Sequence, residues 1–148
     1  MQLVREVVST AARSPEWLLF ETAGLVRILI RCGAMEDAEE LVRKASPQTL
    51  GDKATIISAR AALEEARAAF EGALALYREA VEAWTDHGHY VELAQALLGE
   101  GRCLVQLGRM QEATQRLRGA RDLFASFGAE PLLAETDEWL ARATALSS

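Results

Sequence analysis

Asp86, His87 and His89 are the one place in this sequence where metal-ligating and proton-transferring side chains gather. Two imidazoles and a carboxylate suit a transition metal, but no nearby Cys or Glu completes a recognisable spacing. The three residues flank Gly88. The plainer reading is a helix-ending turn, where a protonated His87 meets the negative end of the helix dipole. Cys32 and Cys103 are the only thiols. Both fall in apolar helical patterns with no His beside them in sequence, so they read as buried, reduced cysteines rather than a nucleophile or a disulfide. Glu39-Glu40 and Glu64-Glu65 are adjacent carboxylates. Acid–base pairs must oppose each other across a cleft, so these read as solvated helix faces. Gly99-x-Gly101 sits within a helical pattern, not after a strand, and is no phosphate loop. Trp17, Trp84 and Trp139 have no basic residues interleaved with them and read as packing anchors rather than a base-stacking platform. No catalytic residue, metal or cofactor is expected, and the chain is not read as an enzyme.

Charge narrows the partners. The 148 residues carry a formal charge of −6, with half of them apolar and 26% charged. That balance is of a soluble globular domain. It argues against nucleic acid, whose phosphates are held by dense Lys and Arg. The longest apolar stretch, Trp17 to Ile30, contains Glu21 and Arg27 and is too short for a bilayer. The first nine residues have no apolar run followed by a cleavage site. A cytoplasmic protein that binds neither membrane nor nucleic acid is expected.

The elements that would position any of these residues are all helices. Ala, Leu, Glu and Arg dominate, and the few β-branched clusters fall inside helical patterns. A short helix is expected at about Gln2 to Ala12. Ser14 then reads as an N-cap, with Pro15 opening a second helix to about Arg31, where Gly33 ends it. A third helix runs from Met35 to Lys44, stopped by Pro47. Asp52 is expected to cap a fourth that reaches Ala68, and Phe70 to Asp86 forms a fifth, ended at Gly88. Tyr90 to Leu107 and Met110 to Phe127 follow, ended by Gly108 and Gly128, and Pro131 opens the last, to about Ala145. Links this short force neighbouring helices antiparallel.

The helices repeat in pairs. Cys32-Gly33-Ala34-Met35-Glu36-Asp37-Ala38 returns as Leu107-Gly108-Arg109-Met110-Gln111-Glu112-Ala113, with a weaker copy at Arg67-Ala68-Ala69-Phe70-Glu71-Gly72-Ala73. Ala38, Ala73 and Ala113 stand 35 and 40 residues apart. A period of that size indicates stacked helical hairpins, which bury a continuous core only by stacking. The second-helix series Ala38-Val42-Ala45, Ala73-Tyr77-Ala80 and Ala113-Leu117-Ala120 resembles that of the tetratricopeptide repeat, as do the first-helix small residues Ala61 and Gly101 and the turn glycines Gly33 and Gly108. Val26 and Ala68 depart from those two patterns, the family's aromatic pair and terminal Pro are missing, and 40 exceeds its usual period of about 34. Leu107 to Leu140 is similar to the longer, divergent repeats at the C-terminal end of bacterial signalling ATPases, nucleotide cyclases and transcription activators.

The resemblance implies an all-α solenoid of about three antiparallel hairpins, residues 15–46, 51–86 and 89–127, with flanking capping helices at 1–14 and 130–146. It also implies a concave binding face lined by the first helix of each hairpin. By alignment that face takes Ala23, Arg27, Ile30 and Arg31, then Ser58, Ala62, Glu65 and Ala66, then Leu98, Arg102, Val105 and Gln106. Arg27, Arg31, Glu65, Arg102 and Gln106 are the candidate contacts with a partner. Three guanidinium forks in an acidic protein suit the carboxylates of an acidic peptide. The plainer alternative pairs them with Glu21, Glu65 or Glu100 on neighbouring turns. The function expected is a non-catalytic module that holds a peptide or helix of another protein. The alternatives are a regulatory sensor segment of a larger ATPase or transcription activator, and a homo-oligomeric scaffold that dimerises through Leu3, Val4, Val7 and Val8.

Overall fold

In five of the links between helices the chain turns in the same way. Gly33 and Ala34 donate to the carbonyls of Ile30 and Leu29, at 3.0 and 2.8 Å, and the same two bonds recur at Ala68-Ala69, Gly88-His89, Gly108-Arg109 and Gly128-Ala129. This is the turn that a left-handed residue just past a helix produces, and it satisfies carbonyls the helix end would leave bare. Four of the left-handed residues are glycine; the fifth is Ala68, at φ 59°.

The computed structural model describes residues 15–47 and 49–147 together with Gln2 and Glu6, and of 15–20 and 147 the backbone alone. The turns separate α1 (Pro15–Arg31), α2 (Met35–Lys44), α3 (Leu50–Ala66), α4 (Phe70–His87), α5 (Tyr90–Gln106), α6 (Met110–Phe127) and α7 (Glu130–Ser147). No strand occurs among the described residues. The helix expected over Gln2 to Ala12, the cap at Ser14 and the apolar residues Leu3, Val4, Val7 and Val8 lie outside them, apart from Gln2 and Glu6.

One link differs from the rest. Between α2 and α3 the chain leaves the helix at Ala45 with extended backbone and passes Pro47. It enters α3 through a capping box: Thr49 Oγ1 accepts from the Asp52 N–H at 3.1 Å, and Asp52 Oδ2 accepts from the Thr49 N–H at 2.9 Å. Asp52 is thus not the cap but its reciprocal partner three residues on, and the helix starts at Leu50. The same helix ends at Ala66 rather than Ala68, because Ala68 has left the helical region.

The helices are stacked as a repeating array, an all-α solenoid. Each packs on the next in sequence, and α1, α3, α5 and α7 also pack one upon another. The small residues make this approach close. Ala38, Ala73 and Ala113 have no exposed surface, nor do Val26 and Ala61 opposite. In the third hairpin a Cβ on Gly101 would lie 2.5 Å from Leu117, and one on Gly99 would enter the Tyr77 ring. Ala80 and Ala120 are buried alike, but Ala45 is the C-cap of the shorter α2 and stays partly exposed. The apolar interior is in two clusters. One joins α1, α2 and one face of α3 through Val26, Leu29, Leu41, Ala59 and Leu63. The other runs from α3 to α7 around Trp84, Leu98, Leu104, Leu117 and Phe124. No described helix is long and apolar enough to cross a membrane.

Candidate functional site

The four helices α1, α3, α5 and α7 share one face, and a cleft of about 530 Å³ opens along it. All five candidate contacts line it: Arg27 and Arg31 from α1, Glu65 from α3, and Arg102 and Gln106 from α5. Ile30, Ala62 and Ala66 of the aligned set do so too. Ala23, Ser58, Leu98 and Val105 do not. They are buried between helices, and Ser58 Oγ accepts a 2.8 Å hydrogen bond from Trp84 Nε1. The alignment places a residue on the right helix but cannot tell the face turned to the groove from the flank turned to the next helix, one position away.

At the centre of the floor is a fixed polar cluster. Arg102 donates to both oxygens of Glu65, Nε at 2.7 Å and Nη2 at 2.8 Å, and reaches Glu135 on α7 at 3.5 Å. The Tyr77 hydroxyl donates to Glu65 at 2.7 Å. Burial, helped by the charge of Glu65, raises the Tyr77 pKa, so the phenol is a neutral donor. Burial pulls the Arg102 pKa down, but the bonds and charge of Glu65 outweigh it and the guanidinium is held as a cation. Neither group can exchange a proton near neutrality. What they supply is a rigid fork of charge and shape.

Arg27 donates to Glu92 on α5, at 3.0 and 3.4 Å, across 65 positions of chain. Arg31 is exposed and has no ion-pair partner among the described residues. Arg27 and Arg102 therefore do pair with glutamates, but across helices rather than along one. Glu100 is not among their partners. It is fully buried on the opposite flank of α5, where Oε1 accepts from Arg78 and Arg116, both at 3.1 Å, and Oε2 has no hydrogen-bond partner. Glu65 is likewise no solvated face, whereas Glu39, Glu40 and Glu64 are, paired at the surface with Arg67 and Lys44.

The cleft is also lined by residues not expected in it: Ile28, Phe70, Tyr77, Gln95, and Leu132, Glu135 and Trp139 of α7. Helix α7 is thus the fourth wall of the groove. Trp139, read as a packing anchor, is partly exposed, with the Arg142 guanidinium 4.1 Å from its ring. The missed signal is the regular spacing of first helices, which puts α7 in phase with α5. Trp84 does serve as an anchor, 1% exposed, with His89 and His87 against its ring at 5.2 and 6.1 Å. No three His, Cys, Asp or Glu side chains converge among the described residues. Cys103 is buried, and burial together with the Glu65 charge pushes its thiol up to about 12. Cys32 is exposed instead of buried: the turn at Gly33 carries it out of the apolar stripe. No family model, curated protein or solved structure matches this chain.

Proposed function

We propose that this protein is a non-catalytic, tetratricopeptide-like interaction module of the cytoplasm, and that the cleft takes an amphipathic, carboxylate-bearing peptide segment of a partner protein. The observation that supports the reading most is the composition of one continuous groove. Arg31 stands free of ion pairs among the described residues at its edge, beside Ile28, which is 48% exposed, and Trp139 faces it from α7. Cation and apolar surface together suit a peptide that alternates acidic and aliphatic side chains. A cleft of about 530 Å³ accommodates a few such side chains rather than a folded domain.

Selection from a display library of random peptides tests this, followed by amide chemical-shift mapping of the winning sequences. Enrichment in Asp and Glu with aliphatic neighbours is expected, with shifts along α1, α3, α5 and α7 and a change in Trp139 fluorescence. Arg31→Glu is expected to weaken binding at least tenfold, the loss of one charge-assisted contact. Peptides that bind Arg31→Glu as well as the wild type, or that map to α2 and α6, would defeat the reading.

A further inference from the structure

We propose that the Arg27–Glu92 pair is a clasp that sets the width of the cleft, holding the first hairpin against α5 past the intervening α3. The proposal deepens, and rests on, the reading of the cleft as the binding face. It stands on three observations. The first hairpin has its own apolar cluster, whose contacts end on α3, while the rest of the molecule is organised around a second cluster. Helix α1 packs on α2 and α3, its neighbours in the array. Yet the Arg27 guanidinium reaches beyond α3 to the first turn of α5, where both Glu92 oxygens receive it at 3.0 and 3.4 Å. Among the described residues the apolar contacts of the first hairpin outside itself are to α3, and a hairpin so seated can swing, as hinged elements do. A polar bond to the helix after next fixes the angle of that swing. Arg27 is also a cleft-lining residue, so the angle it fixes is the opening of the groove.

The pair is suited to be made and broken. Its side chains keep 27% and 19% of their surface exposed, so solvent and salt reach them. Arg102 by contrast holds Glu65 more closely, at 2.7 and 2.8 Å, with the Tyr77 hydroxyl on the same carboxylate, and stays fixed when the clasp opens. A partner carboxylate entering beside Arg31 would compete with Glu92 for the same fork, which would couple binding to opening.

The clasp can be tested in the free protein, with no ligand. Cys32 is exposed and takes a spin label, Cys103 is buried, and Ala141→Cys on the exposed side of α7 provides the second site. Pulsed electron–electron resonance then reads the α1–α7 distance. Glu92→Lys is expected to lengthen and broaden the distribution, and the swap Arg27→Glu with Glu92→Arg to restore it. Glu92→Gln, the gentlest change, is expected to move it in the same direction, as is salt near 1 M, where charges are screened beyond about 3 Å. Glu39→Gln, which removes the Glu39–Arg67 pair on the other side of the first hairpin and leaves Arg67 on Glu64, is expected to leave it unchanged. Distributions of Glu92→Lys and Glu92→Gln that superimpose on wild type would overturn the clasp, and so would a charge swap that fails to restore it. A peptide screen that selects nothing leaves this measurement intact, so the two readings fail separately.

Discussion

At the scale of single residues the third hairpin has the least tolerance. Gly101 faces Leu117 and Gly99 faces the Tyr77 ring so closely that a Cβ at either must displace them. Overpacking of this kind costs about 1–3 kcal/mol, against at most about 1 kcal/mol gained by replacing glycine in a helix. Gly99→Ala and Gly101→Ala are therefore expected to lower stability in urea unfolding. Gly119→Ala should raise it, by up to about 1 kcal/mol, because the new Cβ meets Leu97 at an ordinary 3.5 Å. The cysteines separate just as sharply. A disulfide-exchange dye is expected to titrate Cys32 alone in the native protein and Cys103 only after unfolding. The Cys103 thiol stays protonated up to about pH 12 in the fold but ionises near its ordinary value of 9.0 when unfolded, so the folded state holds the extra proton in that window. Its contribution to stability is complete below about pH 9 and is lost as pH rises through 12. The residue scale is also where the sequence is least legible. Arg27, Arg31, Glu65, Arg102 and Gln106 could be placed on the groove by alignment, and Glu65 could be named as a partner, but Glu92 and Glu135 could not, since they are brought to the arginines by packing of non-adjacent helices.

At the scale of elements the glycines and prolines carried most of the information. Each helix whose end is marked by Gly33, Gly88, Gly108 or Gly128 stops within two residues of the place the sequence indicates, because left-handed backbone is where an L side chain clashes. Both boundaries of α3 differ from the expected ones. At its start two residues compete for the cap, and Thr49 prevails because its side chain and Asp52 satisfy each other's N–H groups. Thr49→Ala is expected to cost about 1 kcal/mol, seen as a lower thermal midpoint. At its end Ala68 adopts φ 59°, the conformation that the equivalent turns give to Gly33 and Gly108. The left-handed region costs a residue with a Cβ roughly 1–2 kcal/mol. Ala68→Gly recovers this less the larger chain entropy of glycine, so a gain of up to about 1 kcal/mol in denaturant unfolding is expected. A loss of stability would mean that the Ala68 methyl has a packing role that outweighs its strain.

At the scale of the whole molecule the repeat was legible because alanines recur where helices cross, and Ala38, Ala73 and Ala113 are indeed buried alike. What the repeat could not convey is that the array is unequal. Helix α2 has 10 residues where α4 and α6 have 18, so the first hairpin has less surface to bury, and its apolar contacts form a cluster of their own. In a linear stack, stability is the sum of each unit and its interfaces, and the weakest unit opens first. Leu29→Ala in the first cluster and Leu104→Ala in the second each remove a fully buried side chain, at about 2–5 kcal/mol apiece. Native-state hydrogen exchange should tell them apart. Leu29→Ala is expected to speed exchange in α1 and α2 while the amides of α5 and α6 keep wild-type protection. Leu104→Ala is expected to lower protection throughout, because the hairpins on either side lose the helix between them. If Leu29→Ala lowers protection equally in every helix, the two clusters unfold as one, and the first hairpin has no independent motion for a clasp to restrain.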